Sequence, residues 1–87
     1  MIAYSLILVA ALSANDLNTN DLVNYYWDCD TLFMKGELGG QDTWSCLAVT
    51  EELQKRVFKN DNDKFKRWWH QNKFKEWKKR GYIHKEI

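Results

Sequence analysis

Between Asn20 and Met34 the apolar residues Leu22, Tyr25, Tyr26, Cys29, Leu32 and Phe33 recur at intervals of three and four, the period of one helix face. Asn20 can cap this segment and Asp21 complements its positive end, so a first helix is expected over about 20–35. Gly36-Glu37-Leu38-Gly39-Gly40-Gln41 then breaks the pattern, with glycines able to take the left-handed conformations that close a helix. Asp42 or Thr43 can cap a second helix over about 43–59, whose stripe is Cys46, Val49, Leu53 and Val57 and whose last turn holds Lys55, Arg56 and Lys59. Asn60-Asp61-Asn62-Asp63 is a polar turn and an acidic helix start; a third helix runs from there through Phe65, Trp68 and Trp69 to Arg80 and stops at Gly81. Residues 82–87 are expected to form a frayed or loosely docked tail.

The amino terminus obeys a different pattern. Met1 to Ala14 reads MIAYSLILVAALSA, uncharged along its length and followed at once by the polar stretch Asn15 to Asp21. Such an apolar core, with small residues at the cleavage offsets in Ala11-Leu12-Ser13, fits a secretory signal removed after Ser13. No Lys or Arg precedes the run, so only the α-amino group supplies the positive end. The run is about 13 residues, short of the roughly 20 needed to span hydrocarbon. A buried helix of an unexported chain is the other use for such a run. The expected architecture is therefore all-α: a signal peptide over 1–13 and one small three-helix domain over 14–87.

Composition sharpens this picture. The chain has 87 residues, no proline and four glycines, too little punctuation for a many-turned sandwich or barrel. A domain this small buries only about 60% of its unfolded surface, so a staple, a metal or a partner is usually needed. Cys29 and Cys46 lie on the apolar stripes of the two helices that the short loop makes antiparallel neighbours, which predicts a disulfide stapling an αα-hairpin. Their spacing is far from the Cys-x-x-Cys of a redox pair, and the 17- and 14-residue intervals among Cys29, Cys46, His70 and His84 fit no zinc pattern. Cys46 with His70 and Asn72 can be written as a nucleophile, base and orienter only because any chain with these residue types permits the sketch. Asp28 with Asp30, and Glu51 with Glu52, do not share a helix face at their spacing and read as solvated charges. No glycine-rich phosphate loop is present. No enzyme, metal or cofactor is expected.

The net charge of +1 conceals an asymmetry: residues 1–53 carry eight acidic groups against Lys35 alone, and residues 54–87 carry twelve basic groups against four acidic ones. Either the halves neutralise one another or the basic end meets an acidic partner. The informative segment is FKRWWHQNKFKEWKKR, Phe65 to Arg80. At roughly 100° per residue, Phe65, Trp68 and Trp69 fall together while His70, Phe74 and Trp77 cluster near the opposite side. If the helix kinks or is embraced on both sides, all the aromatics are core. If it is straight and packed on one side, His70, Phe74 and Trp77, rimmed by Arg67, Lys73 and Lys78, form an exposed apolar patch with a basic border. The second arrangement yields the expected function: an exported, non-enzymatic protein-binding domain, an inhibitor, immunity or chaperone-like accessory protein of the bacterial envelope, periplasmic or secreted. An anionic membrane is the alternative partner of the same helix. Export makes nucleic acid a poor candidate.

Overall fold

The computed structural model describes residues 14–84, and the expected signal peptide lies outside them. Three α-helices follow a short 3-10 turn at Ala14–Asp16: α1 over Thr19–Lys35, α2 over Gln41–Arg56 and α3 over Asn62–Lys79, with no strand among the described residues. The all-α, three-helix expectation holds, and the boundaries differ where capping decides them. Asn18, not Asn20, caps α1, its Oδ1 accepting from the Asp21 N–H at 2.8 Å, which admits one more residue at the start. Gly36, at φ 75°, closes α1 in the left-handed region, where its N–H donates to the Phe33 carbonyl and that of Glu37 to the Leu32 carbonyl.

The second helix begins earlier than expected, at Gln41, with Gly40 as its cap and neither Asp42 nor Thr43 in that role. It also ends earlier. Lys59 and Asn60 both adopt positive φ, 53° and 61°, and the Asn60 N–H reaches back to the Gln54 carbonyl at 2.8 Å, so the chain leaves the helix after Arg56. That exit rotates Val57 outward and turns Phe58 into the core in its place. Asp61 then caps α3 as the acidic turn predicted, accepting from the N–H groups of Asp63 and Lys64.

The core consists of Leu22, Tyr26 and Trp27 from α1, Val49 and Leu53 from α2, Phe58 from the connection and Trp77 from α3. Trp27 is almost wholly buried, whereas Tyr25 and Phe33, on the expected stripe of α1, are exposed. The reason is that α1 is covered twice: α2 packs along one flank and α3 along another, so its buried arc is wider than a single stripe and is displaced toward Trp27 and Thr31. Rings from α1, the α2–α3 connection and α3 interlock there, with Tyr26 against Trp27, Phe65 and Trp68, and Phe58 against Phe65 and Trp68, at centroid distances of 5.1 to 5.7 Å.

The predicted disulfide joins Cys29 to Cys46 across the α1–α2 hairpin, with 5.7 Å between the Cα atoms. Two polar clasps fasten the ends. Arg56 donates to the Leu17 carbonyl at 2.7 Å and the Asn15 carbonyl at 3.3 Å while pairing with Glu52, which ties the first turn to α2. Arg80 donates to Asp28 at 2.7 Å and to Glu76 at 2.8 Å, joining the end of α3 to α1. Burial pushes the Glu76 carboxyl up, but the hydrogen bond from Arg80 and the nearby Lys79 outweigh it and hold it below the usual carboxylate range. No helix among the described residues is long and apolar enough to cross a membrane.

Candidate functional site

The cysteines are consumed in the disulfide, and among the described residues no three His, Cys, Asp or Glu side chains gather as a metal site. What the molecule offers is surface, of two kinds.

The first is the solvent face of α3. Lys64, Arg67, His70, Gln71, Phe74, Lys75 and Lys78 are exposed and, by helical spacing, share this face. Between Lys64 and Lys78 it carries no carboxylate, because Glu76, the one acid in that stretch, turns toward Arg80 and Lys79. Of the expected patch, His70, Phe74, Arg67 and Lys78 lie here, with Phe74 42% exposed. Trp77 does not. It is 2% exposed, a core residue, and its place in an exposed patch is corrected. The cause lies in the tail, expected to be frayed or loosely docked and found docked over 82–84: the Tyr82 N–H donates to the Trp77 carbonyl at 2.9 Å, and the rings of Tyr82 and His84 pack on Trp77 at 5.5 and 5.8 Å. Lys73 is half-buried and not a free rim cation, its ammonium lying 4.3 Å from the Trp69 ring centroid. The arrangement in which the helix is embraced on two sides thus holds for the tryptophans and fails for Phe74 and His70.

The second surface is a groove of about 370 Å³ over the disulfide at the loop end of the hairpin. Tyr26, Asp30 and Phe33 of α1, Leu47 and Thr50 of α2, and Phe65 of α3 line it, with Leu38 of the loop alongside. Asp30, expected to be a solvated charge, is instead half-buried, and its Oδ2 accepts from two indoles, Trp77 Nε1 at 2.7 Å and Trp69 Nε1 at 3.1 Å. Burial foremost, then the charge and hydrogen bonding of Asp30, push the Tyr26 phenol far above the ordinary tyrosine range. Asp28, two positions earlier, points elsewhere and pairs with Arg80. The spacing of Asp28 and Asp30 announces their separation; nothing in the local sequence announces the indoles, which come from 39 and 47 residues away.

No family model, curated protein or solved structure matches this chain.

Proposed function

We propose that this chain is an exported, non-enzymatic binding domain that docks on an acidic face of another envelope or secreted protein through the solvent side of α3. The observation that carries the reading is the run of four cations, Lys64, Arg67, Lys75 and Lys78, around Phe74 with no carboxylate among them. A face of one sign steers an oppositely charged partner, and a half-exposed aromatic ring gives it an apolar anchor. The disulfide is consistent with an oxidising extracellular or periplasmic environment.

Burial of Trp77 leaves Phe74 as the principal aromatic on the face, so charge carries more of the binding than the sequence pattern implied, and an anionic membrane is the second reading. The test is crosslinking of the native chain in its host, comparing wild type with a double variant, Arg67→Glu and Lys78→Glu, and with Phe74→Ala. A discrete protein adduct lost in both variants, at unchanged helicity, supports the protein reading. Adducts that persist in both overturn it. Binding of the purified chain to vesicles of anionic lipid that vanishes at high salt, with no protein adduct, assigns the face to membrane.

A further inference from the structure

The groove over the disulfide is a second site, independent of the α3 face, and we infer that it receives an arginine or lysine side chain flanked by apolar residues in a partner polypeptide. The first argument is charge. Among the described residues Asp30 forms no ion pair with any Lys, Arg or His, and the groups hydrogen-bonded to its carboxylate, the Trp69 and Trp77 indoles and the Tyr26 phenol, are neutral and orient it without neutralising it. Lys73, lying over Trp69, makes no ion pair with it either. A half-buried anion held this way is a ready receptor for a cation supplied from outside, because a charge-assisted hydrogen bond gains strength where water is thinned.

The second argument is the wall. Tyr26, Phe33 and Phe65 line the groove together with Asp30, and a guanidinium or ammonium gains from aromatic rings as well as from the anion. The third is extent. Phe33 is 64% exposed, Leu47 49% and Trp44, one helical turn from Leu47, 73%, so the apolar surface runs on past the groove. A small cation covers the carboxylate alone; a polypeptide segment with apolar residues beside its charge covers the strip too. The neighbouring loop has the matching sign, since the exposed Glu37 and Asp42 lie next to the lining residues Leu38 and Thr43.

Trp69 and Trp77 touch Asp30 directly, so their indole N–H resonances report occupancy of the carboxylate. Titrating the full chain with acetyl-Leu-Arg-Leu-amide is expected to shift both resonances saturably, and replacing arginine by neutral citrulline is expected to weaken binding about tenfold or more. Asp30→Asn keeps an acceptor for the indoles and should lose the preference for arginine over citrulline. Should that variant fail to fold, Phe33→Ala, at an exposed position, should weaken the arginine peptide several-fold. Equal binding of the citrulline peptide, equal binding of arginine amide alone, or no shift of either indole at millimolar peptide overturns the inference. A chain carrying Arg67→Glu and Lys78→Glu should bind the peptide as wild type does, so failure of the α3 reading leaves this one standing.

Discussion

At the scale of single residues, the two most informative tryptophans are the one that moved inward and the one that stayed out. Trp77 fills the core and donates to Asp30, so Trp77→Ala is expected to cost about 3–5 kcal/mol in chemical denaturation. Trp44→Ala, on the outer side of α2, is expected to change stability by no more than about 0.5 kcal/mol by the same measurement. Tyr26 gives a pH signature. Its phenol titrates near 10 in an unfolded chain and well above that in the folded one, so the neutral form is the folded form. Its contribution is complete below about pH 10 and declines as pH rises beyond it, because the unfolded state ionises first. Denaturation midpoints measured across that alkaline range should fall for the wild type and fall less steeply for Tyr26→Phe.

At the scale of elements, the hairpin depends on its staple. The disulfide closes a loop between residues separated by 17 positions, and replacing Cys29 and Cys46 by serine is expected to remove about 3 kcal/mol, read as a lowered urea midpoint. Reductant should reproduce that shift in the wild type and leave the double variant unmoved. The three helices, the glycine stop of α1, the acidic start of α3 and this pairing were legible in the chain because each has a local cause, period, cap or turn; the stop of α2 was not, since it rests on the positive φ of Lys59 and Asn60, which are not glycines. Nor was the orientation of α1. Its sequence shows one stripe through Tyr25 and Phe33, but α2 and α3 each claim a flank, and only their joint packing selects Trp27 over Tyr25. The α3 face was legible in part. Phe74, His70, Arg67 and Lys78 were placed by spacing, whereas the covering of Trp77 by Tyr82 and His84 follows from a turn at Gly81, φ 84°, that reverses the chain onto its own helix.

At the scale of the whole molecule, the charge asymmetry survives folding. Among the described residues the Arg80–Asp28 pair is the one ion pair between helices; the others join residues three or four apart within a helix. The halves therefore neutralise one another only at Glu52, which pairs with Lys55 and Arg56, and at Asp28, which pairs with Arg80, and the molecule keeps an acid-rich hairpin and a base-rich third helix. Intact mass of the chain recovered from its host is the corresponding check on export. Loss of residues 1–13, with a gain of about two hydrogens on reduction as opening one disulfide requires, is the expected result. A full-length reduced chain would return the amino-terminal run to the role of a core helix.

The seating of Trp77 beneath Tyr82 and His84 also sets an order in time. The indole that reaches back 47 positions to Asp30, and the rings that cover it, belong to a stretch the ribosome makes after everything else described here. Until residues 77–84 are present the core lacks one of its largest side chains, and the hairpin alone is a poor globule. The core therefore closes last where it is made last, and the Cys29–Cys46 hairpin waits on the end of the described chain for its cover.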